Sequence, residues 1–405
     1  MLPKGFKVGG IWSGISKKEG NKDLALFISE SPANAAGVFT KNIVKAAHIL
    51  VDAERLEKGG KFSGIIANAG CANACTGIKG EEDAKNMCSA VEKSFDLAQG
   101  SVLCASTGII GQYLNISSAE ELEKKVDILK KNIGASVKNE DEAVLAIMTT
   151  DTFIKKAGKK VRVGNGEIKI WGCVKGAGMI HPNMQRSQER LHATMLSFIL
   201  TDAEIESKTL QKMLESSVDK SFNCISVDGD TSTNDTVIVL ANGQSGTGKL
   251  SKSDLENFGK KFDELTLELA QAIVKDGEGA TKFIEIEVKN IKTKTDAKII
   301  ASTIATSPLF KTAMFGSDAN WGRILAAAGR AGVDFDLNKI DIYMGGIQTF
   351  KDGVGLNFSE EAAKKSLSEK EIKIVIDFKV GKEGSKYYTC DFSYDYVKIS
   401  GTYRS

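Results

Sequence analysis

Forty glycines against four prolines constrain this chain more than any other feature. Glycine reaches backbone conformations closed to other residues, so its excess marks tight turns and close backbone approaches. The apolar runs between those turns are brief. LALFIS, FSGIIANAG (62–70) and SVLCASTGIIG (101–111) end in small residues, the pattern of buried strands. GEEDAKNMCSAVEKSFDLAQG (80–100) predicts a helix with acids first and Gly100 as its stop, and SAEELEKKVDILKKN (118–132) opens on a capping box, Ser118 and Glu121. Further on, DAEIESKTLQKMLESSVDKSF reads as helix and DTVIVLANG as strand. A long helix, glycine turn and strand then run from LSKSDLENF to KFIEIEV, and the tail from KIVIDF to YVKISG alternates like an antiparallel hairpin. Short elements mixed without strict strand–helix alternation predict an α/β chain built as α+β layers, not a doubly wound sheet. At 405 residues the chain exceeds one ordinary core, which calls for two or three domains or one large layered unit.

Composition removes several functions. A net charge of +2 gives no basic field for nucleic acid. No stretch approaches the ~20 apolar residues of a membrane span, and MLPKGFKVGGIWSG lacks an apolar core of signal-peptide length. Seven cysteines, odd in number and irregularly spaced, read as reduced thiols and hence a cytoplasmic setting. Cys71 and Cys75 have no second pair or nearby histidine to complete a zinc site, so no metal is expected.

Three stretches invite a chemical reading. GQSGTGKL (243–250) imitates a phosphate loop, but Leu250 stands where a magnesium-binding hydroxyl belongs, so it reads as a glycine turn. VDGDTSTND (227–235) fits a polar ligand, and equally fits turns whose side chains satisfy their own backbone. Glu278 between two glycines suits a closely approached ligand, and suits a helix stop as well. His48, His181 and His192 suggest no serine-type triad. The remaining candidate is Ala193-Thr194, where a polar arm meets the apolar run MLSFIL. A threonine hydroxyl needs a base, and an N-terminal threonine carries its own in the α-amine, whose pKa lies near ~7.7–8.0. Thr194 gains that amine if its hydroxyl attacks the Ala193 carbonyl and water releases the resulting ester.

The company of that pair is extensive. GVFTKN (37–42), ANACTG (72–77), STGIIG (106–111), IMTTDT (147–152), KGAGMIHPNM (175–184), ATML (193–196), FNCISVDGDTSTNDT (222–236), DGEGATKF (276–283), NWGRI (320–324) and the terminal YRS occur in one order. Together they resemble, nearly end to end, the bifunctional glutamate N-acetyltransferase/ornithine acetyltransferase family. The resemblance implies a layered α/β sandwich with a smaller β-chain domain. It implies self-cleavage into an α chain, 1–193, and a β chain, 194–405, assembled as α2β2. Thr194 would take acetyl from N-acetylornithine and hand it to glutamate, with acetyl-CoA as a further donor in some members and no other cofactor. Thr107 and Gly108 match the oxyanion hole. Thr149 or Thr150, Lys175, Thr194, Glu278, Ser400 and Ser405 match the substrate contacts.

Three departures stand out. QRSQERLH (185–192) separates HPNM from ATML, which are expected to be joined, and places Lys175 and Thr194 19 positions apart. Ser400 replaces an expected asparagine, and Ala319 an expected proline. The competing readings are an N-terminal-nucleophile aminopeptidase and an uncleaved, inactive homologue silenced by the insert.

Overall fold

The computed structural model describes residues 1–16, 20–116, 118–185 and 195–402. It contains two compact units: Met1–Asn223 with Asp230–Ile273, and Cys224–Gly229 with Val274 onward. The polypeptide division expected at 193/194 is therefore not the division of the fold.

The first unit is built on β1 (Phe6–Ile11), β2 (Leu24–Thr40), β3 (Phe62–Asn68), β4 (Val102–Ser106), β5 (Lys155–Val163), β6 (Gly166–Lys175), β7 (Met184–Gln185), β8 (Leu196–Thr201) and β10 (Thr236–Ala241); β9 (Ile225–Ser226) belongs to the second. The order is β4-β3-β2-β10-β8-β6-β5, with β1 and β7 also on β2. β2 joins the two halves of this sheet. Its early residues pair with β1 and β3 and its later ones with β10, and its register against β3 shifts between Ile28 and Ala33. Alternation along β2 then makes two cores. Leu24, Leu26 and Ile28 pack with α1 (Ala47–Lys58), α2 (Gly77–Ser94) and α3 (Ala119–Asn132). Ala25 and Phe27 face Trp171 of β6 and Phe198 of β8, the Phe27 and Phe198 rings lying 4.9 Å apart. α4 (Val137–Leu145) adds Ala143 and Val144 to that core. α5 (Ser207–Lys220) bonds through Ser217 to Thr266 of α6 (Lys252–Lys275), whose Leu265 and Leu269 close on Gly172 of β6. Helices, sheet half, sheet half and helices thus form the layered α/β sandwich the sequence suggests. β8 and β10 run parallel, and every residue of both is buried, as their unbroken runs LSFILT and TVIVLA require.

The second unit has one sheet, adding β11 (Phe283–Ile291), β12 (Asp341–Met344), β13 (Ile347–Lys351), β14 (Val354–Gly355), β15 (Glu371–Asp377) and β16 (Glu383–Cys390), in the order β14-β13-β12-β15-β11-β16-β9. Ile284, Ile286 and Val288 of β11 pack into a core with residues of α7 (Lys294–Ala305), α8 (Pro308–Phe315), α9 (Trp321–Gly329) and α10 (Glu360–Leu367). The alternate residues Glu285 and Glu287 pair with Lys373 and Lys386 instead.

Two local readings need correction. The tail is no hairpin: β11 lies between β15 and β16, parallel to one and antiparallel to the other, and 394–402 form the helix α11 (Tyr394–Thr402). Nearest-neighbour alternation cannot reveal a strand inserted from some 80 residues upstream. α2 stops at Ser94, well before Gly100. The cap on α3 is as read, Ser118 accepting from the Glu121 amide at 3.2 Å. In GQSGTGKL, Gly243, Gly246 and Gly248 all take positive φ, and Lys249 is an exposed partner of Glu206. All seven cysteines are free, and six are buried.

Asp52 on α1 is fully buried and accepts the Cys104 amide at 3.0 Å. Burial pushes its carboxyl from 3.8 to about 8, against the Cys104 amide and the Arg55 charge. The folded state therefore keeps a proton that the unfolded chain releases, and stability falls as pH rises from about 4 to about 8. Asp52→Asn should flatten that part of the profile. Urea midpoints measured at the two ends of the window test this; equal slopes in variant and parent would contradict it.

Candidate active site

β6 ends on Lys175, the cross-strand neighbour of Leu196 on β8. Lys175 is 3% exposed, and its Nζ donates to Thr149 Oγ1 at 2.8 Å and Thr107 Oγ1 at 3.1 Å. Three expected site residues from separate parts of the chain thus meet at one ammonium. Of the neighbouring threonines, Thr149 is the one hydrogen-bonded to Lys175; Thr150 is half-buried beside it.

Asp151, which sequence reasoning passed over, organises this charge. Its Oδ1 accepts from Lys155 at 2.5 Å and from the Gly176 amide at 2.7 Å, and its Oδ2 from the Thr149 amide at 3.1 Å. Burial alone would raise its carboxyl. The charges of Lys175 and Lys155 and the Gly176 N–H outweigh that and hold it below its ordinary value. Its position inside IMTTDT was the available signal. A buried carboxylate so held fixes the residues before Thr150 and after Lys175 together.

Thr107 follows β4. Its backbone N–H donates to Asn68 O at 3.0 Å and is engaged in structure. Its hydroxyl accepts from Lys175, which leaves the hydroxyl hydrogen available as a donor. Gly108 follows with φ +137°, and its N–H has no partner among the described residues. A Cβ here would sit 2.3 Å from the Gly70 carbonyl carbon and 2.5 Å from the Cys71 nitrogen, so only glycine fits. One hydroxyl and one amide, side by side, make a donor pair of the kind that stabilises a tetrahedral oxyanion.

In the second unit, Glu278 sits in the turn between α6 and β11, half-buried. Ser400 of α11 donates to its Oε2 at 3.3 Å, so two expected contacts 122 positions apart are neighbours. Gly279 permits this. It takes φ +68°, and a Cβ there would lie 2.3 Å from the Tyr396 nitrogen, at the start of α11. Ala193, Thr194 and Ser405 lie outside the described residues. His48 is buried, its Nε2 3.0 Å from Thr236 Oγ1, and burial lowers it to about 3, outweighing the raising effect of the Asn234 carbonyl. It is a neutral structural residue.

The ArgJ family model matches residues 7–405. This chain belongs to the ArgJ family. It is 47% identical to the arginine biosynthesis bifunctional protein ArgJ of Caldanaerobacter subterraneus subsp. tengcongensis, covering 100% of this chain and 98% of the relative. It is 44% identical to the glutamate N-acetyltransferase of Methanocaldococcus jannaschii, covering 99% and 97%. Among solved structures, the arginine biosynthesis bifunctional protein ArgJ of Bacillus halodurans is 43% identical, with a TM-score of 0.51, over 52% of this chain and 100% of that one.

On either side of residues 186–194 the chain is anchored to the first sheet. Met184 pairs with Thr40 on β2 and exchanges bonds with Asn223 at 2.8 and 3.0 Å. The Met195 amide donates to Asp235, and its carbonyl accepts from Thr236 at 2.9 Å. Thr40 in turn donates to Asp235 O. The anchors therefore lie about three strand spacings apart, roughly 14 Å. Joining Met184 directly to Ala193 would leave three Cα–Cα steps to Met195, at most roughly 11 Å.

Replacing Gly108 by alanine should lower turnover by roughly 10²-fold, the scale of losing one oxyanion donor. Steady-state kinetics on folded variant would show it; wild-type turnover would remove Gly108 from the site.

Proposed function

We propose that this ArgJ-family acyltransferase of arginine biosynthesis moves acetyl from N-acetylornithine to glutamate through an acetyl-Thr194 intermediate, after cleaving itself between Ala193 and Thr194. The observation that carries the reading is Lys175 bonded to both the Thr107 and Thr149 hydroxyls, beside Gly108 and opposite Leu196, which follows the expected nucleophile by two residues in sequence. In the first stage the Thr194 hydroxyl attacks the Ala193 carbonyl, the peptide nitrogen leaves as the new α-amine, and water frees the ester. The amine then serves as base. Thr194 Oγ takes the acetyl carbon and ornithine leaves with the proton; the glutamate amine then attacks the acetyl ester, the acetyl C–O bond breaks, and Thr194 Oγ recovers a proton from that amine through the base. The Thr107 hydroxyl and Gly108 N–H face the oxyanion of each tetrahedral intermediate. Lys175 suits a substrate carboxylate, and Glu278 with Ser400 suits an ammonium; Ser405 is assigned to the same set.

These steps call for no cofactor, and acetyl-CoA as a further donor is tested by supplying it with glutamate in place of N-acetylornithine. The α and β chains assemble as α2β2 in the cytoplasm; among the described residues no helix is long and apolar enough to cross a membrane. A solved ArgJ chain matched over its whole length to 52% of this one supports the division.

A denaturing gel and intact mass should give two chains, the second beginning at Thr194, and Thr194→Ala should stay as one chain of 43.5 kDa. A single chain from the parent, without transfer from N-acetylornithine to glutamate, would overturn the reading. Deleting 185–192 leaves a join shorter than the span between the anchors, and the strain should speed cleavage about tenfold on a time course.

A further inference from the structure

VDGDTSTND has no part in the chemistry above, yet its last two residues touch both sides of it. Asn234 is 1% exposed, and its Nδ2 donates to Ala72 O at 2.6 Å and to Ser106 O at 2.7 Å. Ser106 immediately precedes Thr107. Both amide hydrogens are engaged, and Asn234 Oδ1 accepts from the Thr233 hydroxyl, so the side chain is fully satisfied in one orientation. Asp235 is fully buried, and its Oδ1 accepts the Met195 N–H. Met195 immediately follows Thr194. The other oxygen of Asp235 has no partner among the described residues, so the bond to Met195 is what its carboxyl does. The backbone of the pair is fixed as well: Thr40 N donates to Asp235 O at 2.8 Å, and Ala46 N to Thr233 O at 2.9 Å.

We propose that Asn234 and Asp235 are a positioning pair that sets the spacing between the oxyanion-donor loop and the strand carrying the nucleophile. Adjacent residues on one rigid strand end have a fixed separation. One holds Ser106, the residue before Thr107, and the other Met195, the residue after Thr194, so a single peptide unit sets the spacing between those two neighbours. A carboxyl is an expensive way to provide this. Burial drives Asp235 far above the ordinary carboxylate range, against the Met195 amide and the charge of Lys175. A plain scaffold contact has no need of that group. The proposal rests on Thr194 as the nucleophile.

The test compares Asp235→Ala, Asp235→Asn, Asn234→Asp and Thr194→Ala as full-length chains, with thermal melting to establish folding. Self-cleavage is followed by gel, and kcat and KM are measured for transfer from N-acetylornithine to glutamate. Asp235→Ala and Asn234→Asp should slow cleavage and kcat by about 10- to 100-fold, the range of an ångström-scale misplacement, with KM within about twofold. Asp235→Asn keeps an acceptor for Met195 and should return to within about threefold of the parent. Folded Asp235→Ala at parental rates would overturn the proposal, and so would Asp235→Asn as slow as Asp235→Ala. Should Asp235→Ala not fold, Asp235→Asn and Asn234→Asp carry the test. Cleavage that persists in Thr194→Ala would instead indict the nucleophile assignment and leave the pair's geometry to be reassigned.

Discussion

Burying the ammonium of Lys175 is the constraint around which the first unit's site is arranged. A cation taken out of water must be surrounded by acceptors or lose its charge. Here two threonine hydroxyls accept directly, and the Asp151 carboxylate, shared with Lys155, supplies compensating charge. That requirement fixes the ends of four segments at once: β4 with Thr107, the turn after α4 with Thr149 and Asp151, β5 with Lys155, and β6 with Lys175 itself. The chemistry inherits the arrangement. Lys175 takes a lone pair of the Thr107 hydroxyl and thereby aims its hydrogen, so a residue whose amide is engaged in structure still supplies a donor.

β2 is the mechanical counterpart. It pairs with four other strands, and its alternation feeds one helix-covered core and one core between sheet halves. Its far end receives Asp235 on one edge and Met184 on the other, which is where the polypeptide reaches and leaves the segment containing Thr194.

Much of this was legible in the sequence because it is local. Buried runs such as TVIVLA and the capping residue Ser118 announce their roles in the residues themselves, whereas the glycines at 108 and 279 answer to Gly70 and Tyr396, distant in sequence. Ordered motifs carried the family and named Lys175, Thr107 and Thr149, which the structure brings together. What was not legible depends on partners far along the chain. Asp151 and Asn234 look like ordinary turn residues until Gly176 and Ser106 arrive beside them. The tail reads as a hairpin until β11 is placed between its strands. The preference for Thr149 over Thr150 is likewise set by where β6 ends, not by the pair itself.

The central claim is that acetyl passes through the Thr194 hydroxyl. The most direct measurement mixes the purified protein with N-acetylornithine in the absence of glutamate, quenches it in acid, and maps peptides by mass spectrometry. The account predicts one acetyl group on the peptide beginning at Thr194, borne on oxygen, labile to hydroxylamine and lost on adding glutamate before the quench. Acetyl on another residue, or turnover with Thr194 unmodified at every time point, would contradict it.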